Sequence, residues 1–170
     1  MRITYILFIT SLFVSCSRID IKKETINGLR QYKNDSLIES IKTFSKVIAA
    51  NDTCRQCLLY RGFAYKDLNK YESALADFNS LIKIDDKAVG YANRASVYYI
   101  KNDYKSALRD FSIAYKLDSS TIFLNPICHM LFANGYKDSA CIYYQKASSL
   151  GDTTFDSIIK EYCNDKQNYR

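Results

Sequence analysis

The sequence predicts an all-α chain: a solenoid of about four helix-turn-helix units, the outer two degraded, closed by a C-terminal helix. Three observations point there. Phe44, Phe78, Phe111 and Tyr144 follow one another at steps of 34, 33 and 33 residues, and a small residue (Ser40, Ala74, Ala107, Ala140) stands four positions before each. A second small position (Gly28, Gly62, Ala95, Cys128) precedes those by 12. Self-similarity at such a period is the mark of a stacked repeat. Within a period the apolar residues fall at helical spacing, in two stretches split by a polar turn. With 5 glycines and 1 proline in 170 residues, the chain has little material for hairpins or long loops.

Residues 1–15 read as an export signal and 16–20 as a tether. Arg2 supplies the positive start, and Ile3 to Val14 is a mostly apolar run, shorter than the roughly 20 residues of a membrane span. The run ends in Leu12-Phe13-Val14-Ser15-Cys16. That ending resembles the lipobox of bacterial lipoproteins, and the resemblance implies cleavage before Cys16, lipidation of its thiol, and a membrane-anchored protein of the bacterial envelope. By the sorting rule of the better-known lipoproteins it resembles, Ser17 rather than Asp after the cysteine implies the outer membrane, facing the periplasm. Each buried acyl methylene contributes about 0.8 kcal/mol, so several chains on one cysteine anchor firmly. An ordinary secretory signal is the alternative.

The array is expected over residues 21–152, in units of about 21–54, 55–87, 88–120 and 121–152. In the second unit, Leu58, Leu59, Gly62, Phe63 and Tyr65 form the first apolar stretch; Tyr71, Ala74, Leu75, Phe78, Leu81 and Ile82 form the second. Asn69, with Glu72 three residues on, reads as the N-cap of the second helix in a capping-box arrangement. Two helices joined so briefly run antiparallel, and close approach of their axes asks for small residues such as Gly62 and Ala74. The first unit serves as its own cap, its second helix made polar by Glu39, Ser40, Lys42 and Thr43. In the fourth, Asn125 as N-cap and Pro126 at the first position would start a shortened helix, ended by Gly135. After Gly151-Asp152, the stripe Phe155, Ile158, Ile159, Tyr162, Cys163 predicts a capping helix over 153–164, started by Thr153 or Thr154, with 165–170 a frayed tail.

The stretch Leu58 to Phe78 (LLYRGFAYKDLNKYESALADF) and the stretch Ala92 to Phe111 (ANRASVYYIKNDYKSALRDF) resemble the tetratricopeptide repeat (TPR) family. The resemblance implies a helical solenoid whose first helices line a concave groove that binds a peptide or protein. Carried over position by position, the groove residues are Leu29 and Tyr32; Leu59, Phe63 and Lys66; Ala92, Ser96 and Tyr99; and Asn125, His129 and Phe132. The proline that usually closes a unit is replaced by Asp52, Asp86, Ser119 and Asp152.

Charge adds no nucleic-acid signal. The formal net charge is +6, or +5 without Arg2, but basic and acidic residues interleave, as at Lys66-Asp67 and Arg109-Asp110. These pairs read as a solvated surface, with carboxylates facing solvent and no repeated inward pair. No catalytic residue stands out: there is no glycine-rich phosphate loop, no metal-ligand constellation and only one histidine, His129. The expectation is a non-enzyme without cofactor, metal or small-molecule substrate.

Five cysteines remain beside Cys16. Cys54 and Cys57 form a C-x-x-C motif at the expected start of a helix, where a local disulfide, a reduced pair or a redox role are the readings. Cys128 occupies a small-residue core position, and Cys141 and Cys163 lie on neighbouring helices and can pair. Three functions follow: a membrane-tethered adaptor or scaffold binding its partner in the groove, a structural subunit of an envelope assembly or secretion machine, and a thiol redox protein using Cys54 and Cys57.

Overall fold

The computed structural model describes residues 19–163. The export signal, Cys16 and the tail from 165 onward lie outside the described residues. Eight helices follow in pairs: α1 (Ile21–Lys33) with α2 (Leu37–Ala50), α3 (Arg55–Asp67) with α4 (Tyr71–Ile84), α5 (Ala88–Ile100) with α6 (Tyr104–Leu117), and α7 (Leu124–Ala133) with α8 (Lys137–Ser149). Each packs against its pair-mate and against the next helix in the chain, α2 on α3, α4 on α5, α6 on α7. Among the described residues there is no strand, and no helix is long and apolar enough to cross a membrane.

One device makes all four turns within a pair. Asp35, Asn69, Asn102 and Gly135 adopt positive φ (59°, 56°, 61° and 80°). Around each, the next N–H reaches six residues' span back into the finished helix: Ser36 to Gln31, Lys70 to Tyr65, Asp103 to Tyr98, Tyr136 to Leu131. This is the Schellman closure, which satisfies carbonyls that a helix end leaves free. Asn69 therefore closes α3 and is not the N-cap of α4. Lys70 holds that place without a side-chain cap bond, and the expected capping box does not form.

The small and aromatic positions meet inside each pair. A Cβ added to Gly28 would lie 2.7 Å from the Phe44 ring, and one added to Gly62 would lie 2.6 Å from Phe78. Those rings are wholly buried. The polar residues of α2 are only partly a solvent face. Ser40 and Thr43 turn inward, Ser40 Oγ donating to the Gly28 carbonyl (3.1 Å) and Thr43 Oγ1 to Gln31 Oε1 (2.7 Å), while Glu39 and Lys42 stay exposed.

Two starts differ from expectation. A 3-10 turn, Thr121–Phe123, leads into α7 at Leu124, so Pro126 is the third helical residue and Asn125 lies inside the helix. Proline is tolerated there because first-turn N–H groups have no intrahelical acceptor. The C-terminal segment is capped by Asp152, whose carboxylate accepts from Thr154 N at 3.1 Å, rather than by a threonine. It then runs as a 3-10 turn (Thr153–Phe155), one α turn (Asp156–Ile158) and a π turn (Ile159–Cys163). Phe155 is buried against Tyr144, ring centroids 4.9 Å apart, and a disulfide joins Cys141 to Cys163.

Candidate functional site

The expected groove residues lie on the first helices of successive pairs. At the start of the array, Tyr32 of α1 meets Tyr60 and Phe63 of α3 (ring centroids 5.5 and 6.4 Å), and Lys66 Nζ sits 5.5 Å above the Phe63 ring. The Tyr32 hydroxyl donates to Asp67 Oδ2 at 2.9 Å. Burial, and then the Asp67 carboxylate that accepts this proton, push the Tyr32 pKa up to about 12. The phenol stays protonated and fastens the first pair to the second.

Farther along, Ser96, Tyr99 and Ile100 of α5, Phe111 of α6, and Asn125, Pro126 and His129 of α7 line an open, largely apolar cavity of about 410 Å³. Its size falls in the range of small-ligand and side-chain pockets, roughly 300–1,000 Å³. Tyr99 forms one wall, its ring edge-on to His129 at 5.8 Å and to Tyr104 at 5.6 Å. Tyr99, Asn125 and His129 are exposed, so the cavity mouth presents hydroxyl, amide and imidazole groups over an apolar floor. The last of the expected groove residues, Phe132, is covered on one side by Tyr162 (5.6 Å) and approached by Lys137 Nζ (5.7 Å).

Besides Phe132, the other ten expected groove residues divide into three groups. Ser96, Tyr99, Asn125 and His129 converge on the cavity; Tyr32, Phe63 and Lys66 form the aromatic end. Leu29, Leu59 and Ala92 are half-buried and pack against the hydrophobic cores, as Phe63 and Phe132 also do. Sequence reasoning missed Ile100, Phe111 and Pro126.

It also misread the carboxylates. Asp77 and Asp110 point inward, 4% and 0% exposed, each gripped by an arginine of its own pair. Arg61 donates from Nε and Nη2 to Asp77 (2.9 and 2.6 Å), and Arg94 donates likewise to Asp110 (2.6 and 2.9 Å). The Arg109-Asp110 step that reads as surface charge therefore holds one wholly buried group.

Cys54 and Cys57 are joined by a disulfide at the start of α3. Cys57 is wholly buried beside Phe44 and Val47, with its Sγ 3.5 Å from Thr25 Oγ1. Cys128 is a buried free thiol, and burial pushes its pKa up to about 12. No cluster of metal-ligating side chains occurs among the described residues.

Residues 57–87 match the family model of the tetratricopeptide repeat. Solved structures extend the likeness across the array. MamA aligns at a TM-score of 0.73 and 17% identity, over 80% of this chain and 75% of that one. YrrB, described as a TPR protein with an unusual peptide-binding site, gives 0.71 and 14%, over 84% and 74%. The first TPR domain of Spaghetti, bound to an HSP90 peptide, gives 0.64 and 18%, over 68% and 93%. The fold is that of a TPR solenoid. No curated protein matches the chain by sequence. In TPR terms, the aromatic end lies on the first helices of the first two units, and the cavity on those of the third and fourth, with Phe111 of a second helix in its lining.

Proposed function

We propose that the protein is a membrane-tethered interaction module, an adaptor or scaffold that binds an extended or helical segment of a protein partner along the face of its first helices and performs no chemistry there. The observation that carries this reading is the apolar cavity between the third and fourth units, lined by Ser96, Tyr99, Asn125 and His129. Its floor suits a large apolar side chain. The polar groups at its mouth suit the backbone on either side of that residue, as in peptide grooves where apolar anchors supply affinity and a few polar groups fix register. The peptide-binding TPR structures among those similar to this one support the same reading. The tether would be lipid on Cys16, which holds the array at the envelope membrane where its partner passes.

The test is a pull-down from solubilised envelope with residues 17–170, followed by replacement of Phe63 and Tyr99 with alanine. Capture lost with helicity unchanged supports the face as the site. Capture that survives both replacements overturns it.

A second reading, a permanent subunit of an envelope assembly, is favoured by the exposed apolar side chains of the fourth unit. There Ile122, Ile142, Tyr136 and Leu150 are 68%, 65%, 60% and 55% exposed. A stoichiometric partner that survives the groove replacements but not Ile142→Asp would mark that alternative.

A further inference from the structure

We propose that Cys54 and Cys57 form a thiol–disulfide exchange centre that takes two electrons from the dithiol of a protein or peptide substrate. The interaction reading makes no use of this cystine, and the corresponding helix starts form without one. Cys54 and Cys57 are the N-cap and third residue of α3. The same positions of α1 are Asp20 and Lys23, and those of α5 are Lys87 and Gly90. Those helices begin without a cross-link. The bond joins one helical turn to its own cap, whereas Cys141–Cys163 ties α8 to the C-terminal segment.

The two sulfurs are unlike in the way exchange requires. Cys57 is wholly buried in the first core cluster, and Cys54 is only partly buried. Of the two, Cys54 is the one an incoming thiolate would approach, which makes Cys57 the leaving sulfur. No side chain caps α3, so a thiolate at Cys54 is the group its first-turn N–H dipoles would stabilise. Thr25 of α1 faces the other sulfur. Its hydroxyl donates to the Ile21 carbonyl at 2.7 Å and its oxygen lies 3.5 Å from Cys57 Sγ, so it contacts the sulfur that would leave.

The step balances as follows. A substrate thiolate attacks Cys54 Sγ; the Cys54–Cys57 bond breaks as a mixed disulfide forms, and the Cys57 thiolate is protonated, the proton balancing the one the substrate thiol gave up on ionising. The substrate's second thiolate then attacks its own sulfur in the mixed disulfide and expels Cys54 as thiolate. The substrate ends as a disulfide and the protein as a dithiol, two electrons having passed.

The test uses the full chain and reads the exchange in reverse. Cys57→Ser, Cys57→Ala, Cys54→Ser and Cys54→Ala are each mixed with a disulfide-bonded peptide, and mixed-disulfide formation is followed by intact mass and located by peptide mapping. A helix-start thiolate predicts that both Cys57 variants form the adduct at Cys54 about tenfold faster than an unstructured cysteine peptide. Both Cys54 variants should form essentially none at Cys57. Equal trapping by the two sets, or a Cys54 no faster than the unstructured thiol while helicity is intact, overturns the proposal.

Discussion

The Arg61 guanidinium binds Asp77 through two hydrogen bonds and, through Nη1, also reaches Ser45 Oγ of the preceding unit at 2.9 Å. Arg94 repeats the arrangement with Asp110 and with Asn79 Oδ1 at 2.6 Å. Each arginine therefore joins three helices, its own, its pair-mate and the second helix of the unit before. The Asp110 hydrogen bond holds the Arg94 charge firmly in place. The fork geometry of arginine suits this role, because one planar group satisfies a carboxylate and still has a donor left.

Removing one partner should cost far more than removing both. Arg94→Met leaves the buried Asp110 carboxylate with only the longer 3.7 Å ion pair to the exposed Arg109, and the expected loss approaches about 3–5 kcal/mol of unfolding free energy. Arg94→Met with Asp110→Leu should recover most of it. Urea denaturation followed by circular dichroism checks both, and a double variant no more stable than the single one would refute the account.

Gly62 is a second sharp point. Its α-carbon faces the Phe78 ring so closely that a methyl cannot enter without displacing the ring. Gly62→Ala should cost about 1–3 kcal/mol despite alanine's better helix propensity. The third unit already carries the larger residue, Ala95, and there the matching Phe111 is only half-buried. Gly62→Ala with Phe78→Leu should therefore be more stable than Gly62→Ala alone.

Alkaline pH gives a third prediction. Cys128 and Tyr32 each hold their proton more tightly folded than unfolded, with pKa values near 12 against ordinary values of 9.0 and 10.0. Above pH 9 the unfolded chain ionises first, so it binds fewer protons and stability falls as pH rises. The Cys128 contribution is fully present below pH 9 and is lost towards pH 12, at a slope of at most about 1.4 kcal/mol per pH unit. Thermal melts from pH 8 to 11 should show the decline, and Cys128→Ala should flatten it. Alanine already serves at the equivalent position as Ala95.

The repeat was legible because its signal is geometric: a 33- or 34-residue step in residues that must be small or aromatic survives any choice of surface chemistry. The turns were harder to read. Asparagine suits both an N-cap and a left-handed helix closure, and Glu72 three residues after Asn69 imitates a capping box. Pro126 was misplaced because the third helical position tolerates proline as the first does. Asp77 and Asp110 did leave a trace, since each directly precedes a repeat aromatic and Arg61 and Arg94 each directly precede a repeat small residue. The pattern is confined to the two central units; Asn27 and Ile127 replace arginine in the outer ones. At the candidate site, Ser96, Tyr99, Asn125 and His129 were readable from the register of the first helices. Phe111 belongs to a second helix, and its half-buried position depends on how α5 and α6 pack.

The C-terminal segment gives the last prediction. It buries one large side chain, Phe155, and rests Tyr162 on Phe132, and its backbone changes helix type twice within 153–163. So short and irregular a segment has little helical stability of its own. Its attachment then leans on Cys141–Cys163, which closes a sequence separation of 22. A loop of that length restricts the unfolded chain by about 3 kcal/mol in the chain-entropy picture. Cys141→Ser should lower unfolding free energy by about 2–3 kcal/mol and raise amide hydrogen exchange in 153–163 before any other part of the array. Cys54→Ser should leave exchange in that segment unchanged. If Cys141→Ser leaves it protected, the aromatic contacts at Phe155 and Tyr162 hold the cap without the cross-link.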